Sequence, residues 1–250
     1  SGGLEPLVSK GVTLAILQAA HSKGLRTRLY TSGHFFDEEV RNVILTNCNW
    51  VRFDISGVSE EMFAAIHRPV ADKYNFNQVV KNVKELLALR EKEGSGVKIG
   101  MCYLIIPEPA NYKNLIEAAE FAYRIGLDFF AVRVDMGSVV RKFNSEEIGE
   151  IVRQVEIITE NGRQGKYGNM KLDLRGIEGE KLEAKEIAPD MQRAENCYAR
   201  LMKMVVNPFG IGFVCDYVEH PRNARPEFEV GDFQTKGIKQ VIEASHKIEH

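Results

Sequence analysis

From Val12 to Leu174 the chain alternates short apolar runs with longer amphipathic stretches, and this alternation restricts its fold more than any other feature. Val12–Ala20 carries apolar residues at helical spacing, and Arg26–Tyr30 is short and β-like, ending at Thr31-Ser32-Gly33. Asp37–Leu45 reads as a helix with acidic residues in its first turn, Trp50–Ile55 as a strand ending at Ser56-Gly57, and Ser59 opens a short helix. Asn75–Glu93 is the clearest amphipathic helix, with Val79, Val80, Val83, Leu86, Leu87 and Leu89 in one stripe. Gly94-Ser95-Gly96 breaks it, and Val97–Ile106 is a long apolar strand stopped by Pro107 and Pro109. A helix over Asn111–Ile125 closed by Gly126, a strand over Asp128–Val134, a helix over Asn144–Ile158 capped by Asn144 and a strand over Met170–Leu174 complete the series.

Strands followed by helices in tandem mean βα units and a parallel sheet. The strands are near-continuous apolar runs, as expected when both faces are covered. Chemistry in such sheets sits at the C-terminal ends of the strands. Here those ends are Thr31-Ser32-Gly33, Asp54-Ile55-Ser56-Gly57, Ile105-Ile106-Pro107 and Arg133-Val134-Asp135.

After Gly176 the character changes. A charged stretch to Ala194 reads as a linker or connecting helix. Leu201–Val206 and Ile211–Cys215, joined by Asn207-Pro208-Phe209-Gly210, read as a β-hairpin. Gly237–Ile248 reads as a last short helix. At 44% hydrophobic residues the 250-residue chain can bury a sizeable core. Net charge is −2, so neither a nucleic-acid groove nor an anionic membrane surface is indicated as partner. No apolar run approaches the roughly 20 residues that span a bilayer, and no signal peptide opens the chain. Four scattered cysteines make no disulfide scaffold, so a cytoplasmic, reducing location is expected.

Gly2-Gly3-Leu4-Glu5-Pro6 resembles the glycine-glycine-glutamate-proline motif at the end of the second barrel strand in radical S-adenosylmethionine (SAM) enzymes, with Leu4 inserted or substituted. That motif contacts the methionyl amine of SAM. Glycines let backbone carbonyls approach an ammonium with no Cβ in the way, and the carboxylate favours the same charge. Leu29-Tyr30-Thr31-Ser32-Gly33 is similar to the family's third-strand signature. Trp50–Gly57, followed by Glu60, Phe63 and Ile66-His67-Arg68, is similar to the fourth strand and its helix. There a strand-end Ser or Asp lies near the SAM ribose and carboxylate, and an Arg near the following turn balances that carboxylate. Ile99–Pro107 resembles the fifth strand, which wraps the adenine. The resemblance therefore implies Gly2, Gly3, Glu5, Ser32, Asp54, Ser56, Arg68 and Ile105 as SAM-binding residues.

Towards the C-terminus, Cys197 and Gly210 are separated by twelve residues (198–209), and Gly210 and Cys215 by four (211–214). This spacing resembles the opening of the SPASM and twitch modules, which bind auxiliary [4Fe–4S] clusters through Cys thiolates. Cys197 and Cys215 are the implied metal ligands. The family's Cys-x3-Cys-x2-Cys loop is missing and no cysteine follows Cys215. The expectation is a chain truncated before that loop and again near its C-terminus.

The resemblance implies an α/β fold. A partial (β/α) barrel, a radical SAM core without its first strand, would span residues 1–176. A linker at 177–194 and an incomplete α+β SPASM- or twitch-like module at 195–250 would follow. It implies cleavage of SAM to a 5′-deoxyadenosyl radical that abstracts hydrogen from a peptide or a small metabolite such as a sugar. An electron donor such as flavodoxin or ferredoxin goes with that reaction. Two other readings stand beside it: a conventional barrel aldolase or isomerase using Asp54, Arg133 and Asp135, and a non-catalytic partner-binding relative. Cys48 and Cys102, in apolar segments, read as buried structural thiols, and His34, after the third-strand glycine, as a surface residue, with a place facing the active mouth as the alternative.

Overall fold

The structure is a computed structural model that describes residues 5–69, 74–134, 143–174 and 177, with 205–206, 211–213, 229–232, 235–236, 240 and 243 beyond them. The chain divides into two compact units, Glu5–Glu186 and a second made of Ser1–Leu4 with Ile187–His250.

In the larger unit a 3-10 turn, Pro6–Ser9, leads into α1 (Lys10–Ser22). There follow β1 (Arg28–Thr31), α2 (Glu38–Asn47), β2 (Trp50–Asp54), α3 (Glu60–His67) and α4 (Phe76–Glu93). Next come β3 (Lys98–Ile105), a 3-10 turn at Asn111–Asn114, α5 (Leu115–Arg124), β4 (Phe129–Val134), α6 (Ser145–Arg163) and β5 (Lys171–Asp173). The five strands form one sheet in the order β1-β2-β3-β4-β5, every pair parallel. Strand crossovers are right-handed almost without exception, so sequential order sends the connecting helices to one face.

That face is the core. Leu29, Val51, Phe53, Ile99, Met101, Tyr103, Ile105, Phe130 and Val132 are each at most 4% exposed. They join Val40 and Ile44 of α2, Val79, Val83 and Leu86 of α4, Ala118 and Ala122 of α5, and Ile151 and Ile158 of α6 in one cluster. Each of the larger apolar side chains among them contributes on the order of 1.5–3 kcal/mol on burial. The helix starts follow the sequence: Asp37, Ser59, Asn75 and Asn144 each accept a backbone N–H of the first turn, and Asn144 with Glu147 closes a capping box. Gly126, at φ +87°, ends the α5 segment as its position predicts.

Burial on both strand faces is not what the structure has. Only β3 is buried almost throughout, whereas β2 alternates strictly between buried and half-buried residues. The second face of the sheet is polar. Its β3 positions read as apolar because Gly100 and Cys102 are small. A Cβ on Gly100 would lie 2.4 Å from the Phe129 ring, which lies over this position.

In the smaller unit β6 (Val205–Val206) and β7 (Ile211–Phe213) pair antiparallel, as the hairpin reading expects. A third strand, β8 (Glu229–Asp232), adds antiparallel to β7 and is not foreseen in the sequence. Cys197, Cys215, the hairpin turn and the charged linker lie outside the described residues, as does most of the last expected helix. Among the described residues no helix is long and apolar enough to cross a membrane.

Candidate functional site

Parallel register arranges the polar face in layers. Arg28, Trp50 and Lys98 form the first; Tyr30, Arg52, Gly100, Phe129 and Lys171 the second; Asp54, Cys102, Ala131 and Asp173 the third. Leu104 and Arg133 lie above them, towards the C-terminal strand ends. A cavity of about 570 Å³ opens on this face, lined mainly by the first two layers with Arg133 and Asp173. Burial, opposed by the nearby Arg52 guanidinium, raises the Asp54 carboxyl above its usual range. Burial pushes the Cys102 thiol up to about 11, so it stays protonated.

The strand tips are stapled by three polar side chains. Glu5 is the first. Its carboxylate accepts the Leu7 N–H at 3.1 Å, the Thr31 hydroxyl at 2.8 Å and the Ser32 N–H at 2.5 Å. It thereby ties the segment before α1 to the end of β1. His67 is the second. Its Nε2 accepts the Ser56 N–H at 3.3 Å, and its ring stacks on Phe63 at 4.2 Å. Burial, aided by nearby His34, holds its pKa down at about 4, so the ring is neutral and an acceptor at Nε2.

Asn111 is the third staple and is fully buried. Its amide donates to the carbonyls of Ser56 and Leu104, both at 2.8 Å, and its Oδ1 accepts the Ile106 N–H at 2.8 Å. The Tyr103 hydroxyl donates to its backbone carbonyl at 3.0 Å. The Ser56 hydroxyl in turn accepts the Leu104 N–H at 3.1 Å, which locks the tip of β2 to that of β3. Asn82, buried in α4, donates to the Gly33 carbonyl at 2.7 Å and fixes the turn after β1.

Two glycines permit this packing. Gly33 has φ +85°, and a Cβ there would meet the Phe53 ring at 2.8 Å. A Cβ on Gly57 would lie 2.6 Å from the Phe63 amide nitrogen, so α3 approaches the β2 tip only over a glycine. Gly33→Ala combines a left-handed backbone with overpacking, and a loss of roughly 2–4 kcal/mol is expected in urea denaturation.

Glu5 and Ser32 are therefore hydrogen-bonded to each other, and Ser56 sits on the neighbouring strand end, joined to β3. Asp54 is half-buried on the polar face and donated to by Arg52 Nε at 3.1 Å. The Ile105 side chain is fully buried on the helix side, so only its backbone can face a ligand. Arg68, exposed, follows His67 with φ 44° and ends α3. Gly2, Gly3 and Asp135 lie outside the described residues. His34 is no simple surface residue: its Nδ1 lies 3.1 Å from Ser32 Oγ and its ring meets Phe63 and Tyr74 edge-on. Burial lowers its pKa, opposed by the charge of Glu5. Cys48 and Cys102 are buried thiols, as expected. Asn111 and Asn82 were not singled out in the sequence, and His67 appears there only inside the Ile66-His67-Arg68 segment, with no role of its own. Asn111 shows there only as the first residue of a helix, and nothing local points to partners 55 residues away.

A pH effect follows from His67. Its folded pKa lies below the unfolded value of 6.5, so on acidification the unfolded chain takes up the proton first. Stability is whole above pH 6.5 and falls as the pH drops towards about 4, by up to roughly 3 kcal/mol. His34 acts in the same direction. Urea denaturation at pH 7 and pH 5 should show the fall, and His67→Gln, which keeps an acceptor for Ser56, should reduce it.

No protein-family model and no curated protein matches the sequence. The backbone is similar to that of Streptococcus suis SuiB bound to S-adenosylmethionine, with TM-score 0.63 and 12% identity over 94% of this chain and 52% of that one. It is similar to SuiB bound to its precursor peptide SuiA, with TM-score 0.61 and 12% identity over 92% of this chain and 50% of that one. Native anSMEcpe with bound AdoMet gives TM-score 0.60 and 15% identity over 98% of this chain and 66% of that one. At these identities the likeness is one of fold. The chain spans about half the length of SuiB.

Proposed function

We propose that this chain carries the SAM-binding strand ends of a radical SAM enzyme, on a partial (β/α) barrel of residues 1–176 with a SPASM- or twitch-like module from residue 195. The observation that carries this reading is the edge formed by Glu5, Ser32 and Ser56, on a fold similar to two proteins solved with SAM bound. A carboxylate offers about four acceptor positions. Three on Glu5 are taken by Leu7, Thr31 and Ser32, which leaves one for the methionyl ammonium. Ser56 accepts from Leu104, and its hydroxyl proton is the donor we assign to the SAM ribose or carboxylate. By resemblance Asp54, Arg68, Gly2, Gly3 and the Ile105 backbone are assigned to the same nucleotide.

When bound and reductively cleaved, SAM supplies the radical that abstracts hydrogen from a substrate. The chain's own residues hold the nucleotide and fix the strand ends: Glu5 takes the ammonium, Asn111 and His67 keep Ser56 in position, and the covered face keeps water from the sheet. Among the described residues no group of three or more His, Cys, Asp or Glu side chains is placed to hold a metal. By resemblance Cys197 and Cys215 are the proposed ligands of an auxiliary iron–sulfur cluster. A peptide is the favoured substrate class, because SuiB and anSMEcpe have each been solved with a peptide bound.

The conventional acid–base alternative gains nothing from the site. Arg133 is engaged by Asp173, and Asp54 by Arg52. The discriminating experiment is calorimetric titration of the chain with SAM, and with ATP as control. Saturable heat with SAM alone is expected. No heat at millimolar SAM rejects the reading.

A further inference from the structure

We propose that the polar face of the sheet around Trp50 is a binding site for an anionic ligand bearing carboxylate or phosphate groups. Trp50 lies in register between Arg28 on β1 and Lys98 on β3. Arg52 stands two residues along β2 on the same face, and Lys171 lies on the far wall of the cavity. The lining holds five cations, Arg28, Arg52, Lys98, Arg133 and Lys171, against Asp128, Asp173 and the Arg52-bound Asp54 just beyond it, a surplus of two.

Both lining carboxylates are already engaged. Asp128 is held by Arg90 from outside the cavity and accepts the Ile99 N–H at 2.8 Å, and Asp173 is paired with Arg133. Arg52 pairs with Asp54, Lys98 lies 3.7 Å from Asp128, and Arg133 pairs with Asp173. Among the described residues neither the Arg28 nor the Lys171 side chain is in an ion pair, and Arg28 lies over the Trp50 ring. Clustered like charges repel, and the arrangement is stable only at the cost of that repulsion or with an anion between them.

The cations are also arranged for recognition. The Arg28 guanidinium lies 4.3 Å over the Trp50 ring, and that of Arg52 lies 3.9 Å over the Tyr30 ring. Stacking orients a planar guanidinium and leaves its edge for paired hydrogen bonds to a carboxylate or phosphate. Trp50 and Phe129, 6.1 Å apart, give the floor an apolar surface for the body of the ligand. A cavity of about 570 Å³ suits a small molecule or a short peptide side-chain cluster. The site is centred on the first two layers of the sheet, with Arg133 and Asp173 at its upper margin, whereas the proposed SAM edge is at the tips of β1 and β2. It therefore stands whether or not the proposed SAM chemistry does.

The chain has one tryptophan, Trp50, so its fluorescence reads this site alone. Full-chain protein is titrated with inorganic pyrophosphate, with citrate and, at matched ionic strength, with sodium chloride. A saturable change with pyrophosphate or citrate but not with chloride is expected. Response to pyrophosphate alone identifies a phosphoryl ligand, response to citrate alone a carboxylate ligand, and response to both a site that takes either anion. Arg28→Gln and Lys98→Gln, both at exposed positions, should each weaken binding about tenfold without lowering the melting temperature. The proposal is overturned if neither anion gives more than the chloride response, or if the Arg28→Gln/Lys98→Gln double variant binds as the parent does. SAM cleavage without anion binding would reject this site and leave the proposed function intact; the converse would do the opposite.

Discussion

Asn111→Leu should cost the larger unit about 3–5 kcal/mol and lower its urea midpoint accordingly. The side chain is fully buried and satisfies three backbone groups at once: the carbonyls of Ser56 and Leu104 and the Ile106 N–H. Leucine fills a similar volume and so isolates the polar loss from a cavity effect. Each group left unpaired costs roughly 1–3 kcal/mol, and a carbonyl that keeps another partner stands at the low end. The tips of β2 and β3 should also separate. Amide exchange at Leu104 and Ile106 should then accelerate more than exchange at Ile99, deep in the sheet. Uniform acceleration would mean global destabilisation only, and no change in the midpoint would show that Asn111 staples nothing.

Glu5→Gln should weaken SAM about 10- to 100-fold in calorimetric titration, the worth of one hydrogen bond to a charged group. The substitution keeps the shape and removes the charge. It also turns one acceptor into an NH2 that confronts either the Ser32 N–H or the Thr31 hydroxyl, so stability should fall by roughly 1–3 kcal/mol. The two effects separate by temperature. At a temperature where both proteins are fully folded, a purely structural Glu5 gives equal SAM affinities, and an ammonium ligand gives the loss.

The elements were legible because their signal is local. The stripe of α4, the caps at Ser59, Asn75 and Asn144 and the stop at Gly126 need only neighbours within a turn or two. The half-open sheet was not legible from β3, where Gly100 and Cys102 hide an alternation that β2 displays openly. The staples were illegible for a different reason. Asn111 and Ser56, or Asn82 and Gly33, are joined by topology across 55 and 49 residues, and no periodicity carries that information. Glu5 and Ser32 were found through a motif, and their direct bond across 27 residues adds the physical reason they act together. Ile105 was found the same way, but the two-residue period that buries Ile99, Met101 and Tyr103 also turns its side chain into the core.

Whether the strand ends hold SAM for reductive cleavage is tested most directly by product. The protein encoded by the whole reading frame is purified without oxygen, reconstituted with iron and sulfide, and given SAM and dithionite. Release of 5′-deoxyadenosine is the expected result, falling at least about tenfold in Glu5→Gln. Nucleoside release no greater than from SAM and dithionite alone would contradict it.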